Sequence, residues 1–205
     1  MINASSELLQ LYFVRHGGTE WSLSGQHTGR TDIPLTPRGE NEARALRPLL
    51  STLTFSRVFT SPRIRARRTA ELVGLEPNAE IEPDLAEWDY GEYEGLHTAD
   101  IRKERPGWSV FRDGCPGGEM LAQVSDRADR LLARLRLLRG NVALFSHGQF
   151  GRVLAARWIG LPAVNGLHFA LDSASLGILG HELRHPTVPV IALWNARPVE
   201  APVMP

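Results

Sequence analysis

Two histidines in this chain sit in the same local setting. His16 follows the apolar run Leu11-Tyr12-Phe13-Val14 and Arg15, and precedes Gly17. His147 follows Val142-Ala143-Leu144-Phe145-Ser146 and precedes Gly148. An imidazole can act as nucleophile or general base, and an adjacent guanidinium can hold an anion through forked hydrogen bonds. One such histidine alone reads as a hydrogen-bonded turn residue. The repeated pattern, with Arg15 beside the first copy, points to a site. A third group stands between them in Leu85-Ala86-Glu87-Trp88-Asp89-Tyr90-Gly91-Glu92-Tyr93-Glu94-Gly95, where carboxylates alternate with aromatics. A carboxyl against Trp88 or Tyr90 can serve as a proton donor near neutral pH. A solvated loop fits that stretch equally well when it is taken alone.

Those residues need a scaffold that brings them together. Four consecutive apolar residues with aromatic and β-branched content predict a buried strand before His16, and the same holds before His147. In an open α/β sheet, ligands collect at the carboxyl ends of the strands, so two strands ending in His-Gly can share one edge. The segment from Gly17 to Gly29 is polar and glycine-rich, which predicts a long loop whose backbone N–H groups suit an oxyanion. Thr36-Pro37 predicts a helix start, with Ala43, Leu46, Leu49 and Leu50 on its apolar face and Pro48 kinking or ending it. Arg57–Thr60 predicts a second strand, and Ser61-Pro62 caps the next helix in the same way. That helix carries Arg63, Arg65, Arg67 and Arg68. Most helix arginines are solvated, but one in a first turn at the sheet edge can face an anion. Spacing alone does not choose which.

Ile81 falls in a short strand, and a helix covers His97 to Glu104. Trp108, Phe111 and Cys115-Pro116-Gly117-Gly118 predict a lid over the site. Cys115, beside Pro116 and without an activating base, is a poor nucleophile. Glu119 opens an amphipathic helix with Leu121, Val124, Ala128, Leu131, Leu132, Leu135 and Leu138 toward the core. Arg127, Arg130, Arg134 and Arg136 then form a solvated face. A further helix runs through Val153, Leu154 and Trp158. Leu176–Leu179 and Val190–Leu193 are closing strands, and the Pro-rich chain after Asn195 predicts a poorly ordered tail.

The 205 residues, 42 % of them apolar, suffice for one substantial core. Lys+Arg and Asp+Glu balance at 23 each, which argues against nucleic-acid or anionic-membrane binding. A single cysteine excludes an intrachain disulfide and a Cys-rich zinc site. The absence of a signal-peptide pattern and of a long apolar run predicts a soluble cytoplasmic protein.

Taken together, these pieces resemble the histidine phosphatase (phosphoglycerate-mutase-like) superfamily. The resemblance rests on Arg15-His16-Gly17, Thr28-Gly29, Leu35-Thr36-Pro37-Arg38-Gly39, Ser61-Pro62 to Arg65-Ala66 with Thr69-Ala70, Glu87, and Ser146-His147-Gly148. The motifs stand in family order and span nearly the whole chain. Glu87-Trp88-Asp89-Tyr90-Gly91 and Arg112-Asp113-Gly114-Cys115-Pro116 resemble a short bacterial acid-phosphatase branch. The implied fold is a three-layer α/β sandwich with a mostly parallel sheet, which the alternation of strands and helices supports independently. The implied domain covers residues 1–197, with a tail over 198–205.

The resemblance also implies roles. His16 is the nucleophile, Arg15, Arg65 and His147 surround the phosphoryl oxygens, and Glu87 is the proton donor and later the base. Ser22, Thr28, Gly29, Tyr90 and Gly148 are substrate contacts. Trp21, His27, Arg30, Trp88 and Arg152 join Tyr90 as candidate pocket walls. No metal or cofactor is implied, and the partner is a small phosphorylated metabolite. A homodimer stays open. Gly18 stands where the family usually has glutamate or glutamine, and Ser22 where mutases commonly have asparagine. The favoured activity is a metal-independent phosphomonoesterase that works through a phosphohistidine. The alternative is a cofactor-dependent phosphoglycerate mutase-type isomerase, for which the chain is short. A metallohydrolase with His16, His147 and Glu87 as ligands is opposed by arginines in the same pocket. A catalytically dead binding module is opposed by the full set of reactive residues.

Overall fold

The computed structural model describes residues 8–197. Six strands form one sheet in the order β3-β2-β4-β1-β5-β6. They are β1 (Gln10–Arg15), β2 (Arg57–Thr60), β3 (Ala79–Ile81), β4 (Asn141–Ser146), β5 (Leu176–His181) and β6 (Pro189–Ala196). The first four run parallel; β5 and β6 are antiparallel to their neighbours. The helices are α1 (Glu20–Ser24), α2 (Pro37–Ala45), α3 (Arg47–Leu50), α4 (Ile64–Val73), α5 (Thr98–Glu104), α6 (Val110–Asp113), α7 (Leu121–Leu135) and α8 (Gly148–Trp158).

The strands explain the layers. Alternate side chains leave opposite faces of a strand. Leu11 and Phe13 of β1, with Val142 and Leu144 of β4, pack under α7 and α8. Tyr12, Val14, Ala143 and Phe145 pack against Leu46, Leu50, Ala70 and Val73 on the other face. Both faces are covered, so the central strands read as unbroken apolar runs. Phe13 and Phe145 are wholly buried; truncating either to alanine costs about 3–5 kcal/mol.

Several expectations change in the structure. The Gly17–Gly29 segment is not all loop, because Thr19 and Ser22 form a reciprocal capping box that starts α1, and Gly25 ends it in the left-handed conformation. Thr36 does cap α2, and the helix is interrupted at Leu46, two residues before Pro48. Leu49 leaves that apolar face for solvent, while Leu46 and Leu50 are buried. Ser61-Pro62 does not cap α4. That helix begins at Ile64, whose N–H is taken at 3.1 Å by Asp32 Oδ1 from a distant loop. Trp108, Phe111 and Cys115 are core residues and no lid: the Trp108 indole donates to Gly114 O, and Phe111 meets Trp88 edge-on. Burial also pushes the Cys115 thiol up to about 12. The amphipathic helix starts at Leu121, later than Glu119. Arg130 and Arg134 keep solvent but bind Asp84, whereas Arg127 is largely covered. The expected tail over 198–205 lies outside the described residues.

Candidate active site

β1 and β4 are adjacent and parallel, and their register pairs Arg15 with Ser146. The two histidines therefore leave the sheet side by side, with ring centroids 5.1 Å apart. β1 is held at this end by Arg15 N–H on Ser175 O and by His16 O, which accepts from Ala174 N–H. Immediately after His16 the chain crosses α2 at contact distance. A Cβ on Gly17 would lie 2.2 Å from Gly39 O, and one on Gly39 would lie 2.0 Å from Gly18 O. Neither position accepts a side chain without moving the loop that carries His16.

The hydrogen bonds assign the ring nitrogens. His16 Nδ1 lies 2.7 Å from Gly17 O. A carbonyl only accepts, so Nδ1 carries the hydrogen and Nε2 keeps its lone pair. His147 Nδ1 accepts from Arg65 Nε at 3.2 Å, and its Nε2–H donates to Ser61 Oγ at 2.7 Å. Both rings are buried and neutral. Burial first, then Arg65 and Arg15, hold His16 well below 6.5. Burial, then Arg65 and His16, do the same for His147.

The two arginines differ. Arg65 is fully buried and donates to His147, Thr28 O, Gly29 O and Thr31 O, which engages four of its five N–H groups. Arg15 donates one N–H from Nη1 to Leu171 O, and its Nε is buried without a partner. A buried donor without an acceptor is costly, and an oxyanion would satisfy it. Gly148 makes room for this guanidinium, since a Cβ there would come within 3.3 Å of it.

Glu87 is anchored by three backbone N–H groups: Trp88 and Phe150 on Oε1 at 2.8 Å each, and Gln149 on Oε2 at 3.0 Å. His147, the N-cap of α8, makes no side-chain cap, so Glu87 caps that helix from outside. A carboxylate there also suits the positive end of the helix dipole.

Arg15, His16, Ser22, His27, Thr28, Glu87, Tyr90, Gly148 and Arg152 border one cavity of about 280 Å³. Arg65 and His147 are buried next to His16 rather than part of this lining. Of the remaining candidate walls, Trp88 is core, Arg30 pairs with Asp89, and neither it nor Trp21 reaches the cavity lining. Gly29 is not a free anion contact, because Glu94 takes its N–H at 2.8 Å. Other loop N–H groups go the same way, Thr31 to Glu94, Gly18 to Glu42 and Gly17 to Thr69 Oγ1. Carboxylates and a hydroxyl thus occupy loop N–H groups that the sequence predicts to be open to an oxyanion. The Ser22 hydroxyl is engaged with Thr19 in the capping box, although the residue borders the cavity. Tyr90 stacks on His27, with centroids 4.6 Å apart. Burial lowers His27 to about 4 and raises the Tyr90 phenol well above 10, so both are neutral polar groups.

Gln26, Thr98, Gln149 and Leu171 also line the cavity and escaped sequence reasoning. Gln149 had a local signal: it is the second residue of α8, directly after His147-Gly148. Thr98 had none, since it arrives through the long-range Gln26–His97 bridge.

Comparison with known proteins agrees with this arrangement. Residues 11–196 match the family described as histidine phosphatase superfamily (branch 1). The chain is 46 % identical over 177 residues to an acid phosphatase of Mycobacterium tuberculosis, covering 84 % of this chain and 87 % of that one. It is 40 % identical over 182 residues to sedoheptulose 1,7-bisphosphatase of Saccharomyces cerevisiae, covering 72 % of this chain and 66 % of that one. The solved structure of the Mycobacterium tuberculosis open reading frame Rv3214 superposes with a TM-score of 0.81 at 43 % identity, covering 91 % of this chain and 98 % of that one. The chain belongs to the histidine phosphatase superfamily.

Proposed function

We propose that this protein is a metal-independent phosphomonoesterase acting on small phosphorylated metabolites through a phosphohistidine at His16. One observation carries the proposal: a neutral imidazole with its Nε2 lone pair available stands beside an arginine whose buried Nε lacks an acceptor. Arg15 binds the phosphoryl oxygens. The remaining N–H of Arg65 and the His147 Nε2–H, exchanging Ser61 for a phosphoryl oxygen, take up further charge in the transition state. His16 Nε2 attacks phosphorus and the bond to the leaving oxygen breaks. Glu87, which borders the cavity, gives a proton to that oxygen. The resulting Glu87 carboxylate then takes a proton from water, the hydroxide attacks phosphorus, and the P–N bond breaks. Inorganic phosphate leaves, and His16 regains its lone pair.

The donor set supports chemistry without a metal. Among the described residues, no cluster of three or more His, Cys, Asp or Glu side chains could hold an ion. The cavity suits a short phosphorylated carbon chain or sugar, in keeping with the sugar bisphosphate named for the yeast relative.

Rapid quenching with ³²P-labelled substrate in the presence of EDTA tests this. Acid-labile, base-stable phosphate is expected on the protein transiently, with inorganic phosphate and alcohol released in step. A stable phosphoenzyme that interconverts phosphoglycerate isomers without releasing phosphate would establish the mutase instead. Activity lost in EDTA and restored by a divalent ion would establish a metallohydrolase.

A further inference from the structure

Arg127 lies on α7, away from the cavity, yet it is the most completely engaged guanidinium near the site. Its side chain is 11 % exposed. All five N–H groups have acceptors: Nη1 donates to Asp84 O at 2.9 Å and Ala86 O at 2.6 Å, Nη2 to Glu87 O at 3.3 Å and Glu119 Oε2 at 2.8 Å, and Nε to Glu119 Oε1 at 3.0 Å. The flat face of the same guanidinium lies 4.6 Å from the Phe150 ring centroid. Phe150 N–H is one of the three donors that hold the Glu87 carboxylate. Arg127 therefore grips the main chain that carries Glu87 and packs on the residue that holds its side chain. Its partner Glu119 continues the clamp, since Oε2 accepts from Asp89 N–H and its carbonyl accepts from the Trp88 indole.

We propose that Arg127 is a positioning residue for acid–base chemistry at Glu87, fixing the carboxyl relative to His16 through the 84–89 backbone. This rests on Glu87 being the proton donor. Charge alone cannot perform the role: the Glu119 carboxylate neutralises the guanidinium, and what remains is a planar fork reaching three carbonyls at once. Lysine keeps the charge but has three donors at one point, so it cannot span them. Misplacing a catalytic group by about 1 Å costs up to about 10²-fold in rate.

The test compares Arg127→Lys, Glu119→Gln, Glu87→Gln and the Arg127→Lys/Glu87→Gln double variant on glycerol phosphate and on 4-nitrophenyl phosphate, whose leaving group needs little protonation. Arg127→Lys should lower kcat on glycerol phosphate by about 10- to 100-fold, with a much smaller loss on the nitrophenyl ester and little change in KM. Added to Glu87→Gln, it should cause no further loss on glycerol phosphate, because both act through one group. Glu119→Gln should show the same selectivity at smaller size, and it decides the matter if Arg127→Lys does not fold. Equal losses on both esters, or a lowered Tm with kcat unchanged, would make Arg127 a structural residue only and overturn the proposal. If Glu87→Gln itself shows no preference between the esters, the proton-donor assignment fails first and the positioning role falls with it.

Discussion

The ends of β1 and β4 carry the same dipeptide, His-Gly, at adjacent positions of one sheet. Both imidazoles are buried, both are neutral, and their rings nearly touch. They nevertheless differ at the atoms that matter. His16 has one nitrogen tied to its neighbour's carbonyl and the other left with a lone pair at the cavity. His147 has both nitrogens engaged, by an arginine on one side and a serine hydroxyl on the other. The motif sets where an imidazole emerges; the groups reaching it from other elements set whether it can attack. The arginines repeat the lesson, since Arg15 keeps an unpartnered donor while Arg65 is nearly saturated.

Replacing the two histidines separately tests that division. His16→Ala should abolish the trapped phosphoenzyme and lower kcat on the order of 10⁶-fold, the scale seen when a nucleophile is removed from a catalytic unit. His147→Asn should cost about 10²–10³-fold, the scale of one lost charge-stabilising donor, with labelled phosphate still trapped on His16. If His147→Asn erased the phosphoenzyme as thoroughly as His16→Ala, the two rings would not be distinct and the comparison would break.

A smaller effect sharpens it. The unfolded chain protonates each histidine near pH 6.5, while the folded chain holds His16 and His147 well below that and His27 at about 4. The unfolded state thus binds more protons, and stability falls as pH drops below about 6.5, continuing for His27 to about pH 4. The urea midpoint should decline steadily from pH 7 to pH 5. His27→Gln should flatten that decline without removing it, because His16 and His147 still contribute. A midpoint constant over this range would show that the rings are protonated in the folded protein.

Much of this was legible in the chain, and the reasons are local. The strands before His16 and His147 announce themselves because both faces are covered and their four inner positions are apolar. Thr36-Pro37 marks α2 because the cap and the proline lie within one turn. What could not be read depends on partners distant in sequence. Asp32 caps α4 from 32 residues away, so Ser61-Pro62 gave a false start. Glu94 takes the Gly29 and Thr31 N–H groups, so a glycine-rich loop looked open to an anion when it was already satisfied. Arg127 looked solvated because its helical phase lies off the apolar stripe, but the carbonyls of 84, 86 and 87 reach over it.

The position of β1 in the sheet has a consequence for how the protein is made. This strand, the first in the described chain, sits between β4 and β5, which begin at residues 141 and 176. Neither hydrogen-bonded neighbour exists until most of the chain has been synthesised. Such long-range pairing closes slowly, because a large loop must be ordered before any contact rewards it. A nascent chain emerging as far as α7 holds the proposed nucleophile on a strand with no partner on either side. The chain therefore carries its proposed nucleophile early and gains the neighbouring strands that would position it late.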